Sequence, residues 1–204
     1  ANKIMYISGG NKGAKIWIDN ERESGGIKHF TVHAKLSEKA VPEKFNIQLA
    51  PVPLSELVQE IKECEKNEET ISALVAYCRE NFNVCISKEH LEKVAALKMA
   101  INSLAKKYGC NAGAIQCWNA LQTEIGIMPC AANSLLNEEG FPVVCETDIH
   151  GAITALLCEA AGMDMKRSFF ADWTVRHPDD ENGELLQHCG PWPISCLAKK
   201  PSIE

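Results

Sequence analysis

The sequence predicts an α/β fold: a mostly parallel sheet flanked by helices in a Rossmann-like three-layer arrangement, preceded by a short β-rich N-terminal segment. Two observations carry that expectation. From Phe45 onward, apolar runs of strand length alternate with stretches whose apolar residues recur at helical spacing. Several of those stretches are bounded by start and stop residues, Ser87 and Gly109 being the clearest pair. The first forty residues read differently, as short strands around glycine turns, so a boundary is expected between residues 1–44 and 45–204.

In order along the chain, Lys3-Ile4-Met5-Tyr6-Ile7 and Ala14-Lys15-Ile16-Trp17-Ile18 read as short strands around Gly9-Gly10-Asn11-Lys12-Gly13. That turn lacks the G-x-x-x-x-G-K-[ST] spacing of a phosphate-binding loop and reads as a hairpin turn. His29 to Leu36 alternates well enough for a third strand. Asn46 to Val52 is strand-like, and Pro53 opens a helix with Leu54, Leu57, Val58 and Ile61 on one face. The charged stretch Glu60 to Glu69 reads as a solvated face and turn, and Thr70 to Glu80 as a second helix. Ser87 caps a long amphipathic helix closed by Gly109. Next come the strand Ala114 to Cys117, a helix over Ala131 to Glu139 with Gly140 beyond it, and the strand Val143 to Cys145. A helix over Asp148 to Ala161 stops at Gly162, and Phe169 to Ala171 reads as a further strand.

Composition narrows the function classes. The net charge of −6, with no basic cluster, gives nucleic-acid binding little electrostatic support. No apolar run is long enough to cross a bilayer, and no charged start leads into an apolar stretch. The ten cysteines include no C-x-x-C pair, and several sit inside apolar runs. They read as buried free thiols in a reducing cytoplasm rather than a disulfide framework or a zinc cluster.

The chemistry gathers where strand-like runs end. Val143-Val144-Cys145 leads into Glu146, Phe169-Phe170-Ala171 into Asp172, and Leu185-Leu186-Gln187 into His188. In an open parallel sheet ligands bind beyond the carboxyl ends of the strands, so parallel strands would bring Glu146 and Asp172 to one edge. Neighbouring carboxylates repel unless a cation neutralises them. Carboxylates suit Mg²⁺ or Mn²⁺, and adding His188 as a third ligand favours Mn²⁺. Taken singly, each of these residues reads as a cap, a surface acid or a structural histidine; together they read as a metal site. Asp148 and His150 read as helix-start residues held by capping and dipole effects, and His177 as a loop residue.

Glu146-Thr147-Asp148 with Gly151, Phe170-Ala171-Asp172 and Leu186-Gln187-His188-Cys189-Gly190 together resemble the metal-binding region of the L-fucose/L-arabinose isomerase superfamily. Gln116-Cys117-Trp118 and Pro129-Cys130 fit it too, and the resemblance covers roughly residues 45–193. It implies that Glu146 and Asp172 both ligate manganese and move the proton, that His188 completes the metal site, and that Gln116 and Trp118 line the sugar pocket. The implied reaction is an aldose–ketose isomerisation through a cis-enediol, in which a divalent cation polarises the carbonyl. Enzymes of that superfamily are longer, so the chain is expected to be the central part of one or a shortened form. The expected partners are a small-molecule sugar and further copies of the chain in a homo-oligomer, with no nucleic acid and no membrane. The alternative is a non-catalytic sugar-binding or regulatory α/β module on the same scaffold.

Overall fold

A computed structural model describes residues 3–8, 17–18, 22–24, 27–29, 32–33, 40–117, 120–163, 167–188 and 190–204. The glycine turn over 9–13, Trp118 and Cys189 lie outside the described residues. Strands β1 (Lys3–Ser8), β2 (Gln48–Pro53), β4 (Ala112–Ile115) and β5 (Val143–Val144) form a parallel sheet in the order β2-β1-β4-β5. The sequence grouped Lys3–Ile7 with the N-terminal segment; in the structure this run is an inner strand, paired with β2 on one side and β4 on the other. The physical reason is visible in the residues. Ile4, Met5, Tyr6 and Ile7 are all buried, the near-continuous apolar run of a strand covered on both faces.

Those alternating side chains divide the interior into two. Met5 and Ile7 join the larger core, under α2 (Leu54–Cys64), α3 (Glu68–Asn81), α4 (Lys88–Tyr108) and α6 (Cys130–Glu138). Ile4 and Tyr6 join the smaller one, against Val41 of α1 (Ala40–Phe45) and Ile149, Ala152 and Ile153 of α7 (Ile149–Ala161). The result is three layers, as the sequence predicts. A short helix, α5 (Ala120–Ile125), follows β4 and was not anticipated. Two small elements complete the C-terminal part: β3 (Asn83–Val84) pairs in parallel with β8 (Ser202–Ile203), and β6 (Asp172–Arg176) pairs antiparallel with β7 (Glu184–Gln187). In the N-terminal stretch, Trp17–Ile18 pairs with Val32–His33 and Arg22–Ser24 with Ile27–His29, each antiparallel.

The longest helix, α4, begins and ends where its sequence signals do. The Ser87 hydroxyl accepts a hydrogen bond from the His90 N–H at 3.1 Å, and Gly109 closes the helix in the left-handed region at φ 64°. Its side chains Leu91, Leu97, Ala100, Ile101 and Leu104 are fully enclosed. On its surface, Lys107 Nζ and Tyr108 Oη both donate to Glu56 Oε1 of α2, which holds the Glu56 carboxyl below the usual carboxylate range. No helix among the described residues is long and apolar enough to cross a membrane.

Candidate functional site

The carboxyl edge of the sheet is built by the ends of β4 and β5. Gln116 follows β4 directly, and its N–H donates to the Ile7 carbonyl at 2.9 Å, which fixes the residue beside the end of β1. Across from it, Cys145 leads out of β5 into a tight turn. The Thr147 N–H donates to Ile115 O at 3.1 Å and the Asp148 N–H to Cys145 O at 3.1 Å. Glu146 and Thr147 both take positive φ, 63° and 56°. Left-handed backbone is unfavourable for L-residues and more so for a β-branched one, so this turn stores strain at the position where the sequence places a candidate ligand and base. Glu146 is exposed on that edge. Thr147→Gly is expected to relieve the strain and raise stability by about 0.5–1 kcal/mol, after allowing for glycine's added chain entropy. Urea denaturation would measure it, and a loss of stability would show that the turn is not strained.

Asp172 and His188 are brought together, though not as the sequence predicts. The run Ser168–Ala171 is irregular, and Asp172 opens β6 instead of ending a strand of the parallel sheet. Its Cα partner across the ribbon is Gln187, the residue before His188. Antiparallel pairing therefore sets the start of one strand beside the end of the other, and both candidate ligands stand at the same end of the ribbon. Contrary to the sequence expectation, Asp172 therefore does not end a strand of the parallel sheet beside Glu146, because it belongs to an antiparallel ribbon.

His188 is half-buried and held on two sides. Its Nδ1 accepts from the Gly190 N–H at 3.2 Å, and its ring meets the edge of Phe170 with centroids 5.3 Å apart. The loop that follows is tied to α6. Asn137 Nδ2 donates to Pro191 O at 3.2 Å while its Oδ1 accepts from Val143 N–H at 2.6 Å, so one buried amide joins this loop to the entry of β5. The Trp192 N–H donates to Ser134 Oγ at 3.2 Å, and the Trp192 ring stacks on Phe169 at 4.5 Å. Gly190 lies so close to α6 that a Cβ there would meet Cys130 Cβ at 2.7 Å. These contacts were invisible in the sequence, because each joins residues far apart in the chain. The buried asparagines and Ser134, at polar positions inside an otherwise apolar helix, were the signal that could have pointed to them.

Asp148 does stand at the N-cap of α7, yet its side chain makes no capping bond to the helix backbone. Instead Asp148, His150, Phe169 and Phe170 help line a cavity of about 300 Å³. A larger cavity of about 610 Å³ is lined in part by His188, Ser134, Trp192 and Cys130. Beneath the edge, the Cys145 thiol makes hydrogen bonds with Cys117 and Cys130, which, with burial, push it far up; the bond from Cys145 holds Cys117 below the usual thiol range. All cysteines among the described residues are free; Cys78, Cys117, Cys130 and Cys145 are buried, whereas Cys85, Cys158 and Cys196 are exposed, which corrects the reading of the cysteines as buried thiols.

Two carboxylates and an imidazole suit a hard or borderline divalent cation in donor chemistry. Their positions fit less well. Asp172 and His188 share one end of the ribbon while Glu146 belongs to the sheet edge, and among the described residues no three His, Cys, Asp or Glu side chains are arranged to hold one ion. The His188 lone pair on Nδ1 is engaged by Gly190, whereas a histidine that ligates through Nε2 donates its other N–H.

No protein-family profile matches the chain. Curated relatives do. A sulfoquinovose isomerase of Priestia aryabhattai is 28% identical over 138 residues, covering 66% of this chain and 30% of the relative. One from Alkalicoccus urumqiensis is 29% identical over 101 residues, covering 49% of this chain and 22% of the relative. The chain thus spans less than a third of the length of the relatives it matches. Their names are those of sugar isomerases, in line with the coarser part of the resemblance read from the sequence.

Proposed function

We propose that this chain carries the catalytic edge of a sugar aldose–ketose isomerase. The observation that carries the reading is Glu146, a carboxylate presented on a strained turn at the carboxyl edge of a parallel sheet, beside Gln116. The similarity to sulfoquinovose isomerases supports the reaction class. Sugars of the L-fucose and L-arabinose type are one substrate class under this reading, from the residue pattern, and sulfoquinovose is another, from the relatives' name.

Glu146 takes the proton from the carbon beside the sugar carbonyl, giving a cis-enediol, and Asp172 returns a proton to the neighbouring carbon. Gln116 and Trp118 bind the sugar. His188, set against Phe170, completes the ligand set with Glu146 and Asp172. Those three would hold a divalent cation, Mn²⁺ foremost, which when bound supplies polarisation of the carbonyl and stabilises the enediolate charge. Assembling the set requires the ribbon to bring Asp172 and His188 to the edge at Glu146 and the His188 Nδ1 lone pair to be released from the Gly190 N–H. Association with further copies of the chain, to close the pocket, and a cytoplasmic setting belong to the same proposal.

The test is to incubate the protein with each candidate aldose and Mn²⁺ and to assay for ketose. Ketose formation that depends on the divalent cation is the expected result. Sugar binding without conversion would move the reading to a non-catalytic sugar-binding or regulatory module. Neither binding nor conversion would reject both.

A further inference from the structure

Three thiols meet under the carboxyl edge. Cys117 follows β4, Cys145 follows β5 and Cys130 opens α6, and the Cys145 sulfur is in hydrogen-bond contact with both of the others. Asn133 Nδ2 also donates to Cys145 Sγ at 3.7 Å, while its Oδ1 is buried with no hydrogen-bond partner. All three thiols are buried, and of the three only Cys130 lines a cavity. Cys145 is 1% exposed and Cys117 3%, whereas Cys130 is 9% exposed and lines the 610 Å³ cavity. A small oxidant that enters this cavity meets Cys130 before the other two, and Cys145 is hydrogen-bonded to it.

We propose that Cys130 and Cys145 form a reversible disulfide when the protein meets a hydroperoxide, making this cluster an oxidative modification site. The Cys130 sulfur attacks a peroxide oxygen; an S–O bond forms, the O–O bond breaks, and water leaves, so sulfur is oxidised and peroxide oxygen reduced. The Cys145 sulfur then attacks the Cys130 sulfenic acid. The S–S bond forms, the S–O bond breaks, and a second water leaves with the Cys145 proton. In sum, two thiols and one hydrogen peroxide give one disulfide and two waters.

The bond would join the first residue of α6 to the residue before Glu146, and Cys130 also packs against Gly190, two residues after His188. The sulfurs must close from hydrogen-bond to covalent distance, so oxidation draws on the turn that presents Glu146. The accompanying fall in isomerase turnover rests on the function proposed above. The cross-link itself does not.

The experiment treats the intact protein with hydrogen peroxide in a background in which the exposed thiols among the described residues are removed by Cys85→Ser, Cys158→Ser and Cys196→Ser. Free thiols are then blocked and the peptides mapped by mass spectrometry without reductant. The expected result is a Cys130–Cys145 cross-linked peptide, with the loss of two hydrogens from the intact mass, reversed by dithiothreitol. Adding Cys130→Ser should abolish it, and adding Cys117→Ser should leave it. Retention of both free thiols, a Cys117–Cys145 bond, or oxidation of Cys130 to sulfinic acid without cross-linking would each overturn the proposal. Mapping the unsubstituted cluster gives the answer even where Cys130→Ser fails to fold.

Discussion

Glu146→Gln is expected, on the proposed isomerase reading, to lower ketose formation by about 10²–10⁴-fold, the range that a positioned acid–base group contributes. Glutamine keeps the length of the side chain, so what is removed is the negative charge and the basic oxygen. The left-handed turn is as unfavourable for glutamine as for glutamate, and the backbone bonds from Thr147 N–H to Ile115 O and from Asp148 N–H to Cys145 O do not involve the side chain. The fold is therefore expected to be unchanged by circular dichroism while turnover falls. On the same reading, calorimetric titration should show weaker Mn²⁺ binding at the same time. Wild-type turnover in Glu146→Gln would remove Glu146 from the mechanism.

Leu97→Ala is expected to destabilise the fold by about 2–5 kcal/mol. Leu97 is wholly enclosed in the larger core, on the helix that packs against α2, α3 and α6. Removing its three terminal carbons costs their transfer energy and leaves a cavity that close-packed neighbours fill only in part. Against a total stability of about 5–15 kcal/mol for a domain, that loss is large. Guanidinium denaturation reads it as a lower midpoint at unchanged slope. A loss below 1 kcal/mol would mean that the core around α4 is looser than its burial implies.

The helices were legible because their information is local. Ser87 and Gly109 bound α4, and Gly162 stops α7, as the residue types require. What escaped depends on partners distant in sequence. The glycine turn after Lys3–Ile7 suggests a local hairpin, yet the position of this strand is decided by pairing with Gln48–Pro53 and Ala112–Ile115. Phe169–Ala171 has the apolar content of a strand and precedes a carboxylate, whereas the strand begins at Asp172. The signal for the ribbon was present in Pro178-Asp179-Asp180 and Gly183, turn residues lying between two strand-length runs. At the candidate site, the spacing of Glu146, Asp172 and His188 along the chain was visible, but which two become neighbours is set by an antiparallel register that spacing does not encode.

The ribbon of β6 and β7 pairs with no third strand among the described residues, and Trp173 is 75% exposed and Leu186 50%. A two-stranded ribbon has little of its own to hold it in place, so its opening free energy is small beside that of the sheet. Any ligand that needs Asp172 and His188 in one arrangement binds only the fraction of molecules already so arranged, and its apparent dissociation constant rises by the inverse of that fraction. Affinity for such a ligand would thus be set as much by how the ribbon is anchored as by the groups that touch the ligand. A substitution on the ribbon's outer face, far from any donor atom, can tighten or weaken binding through that fraction alone.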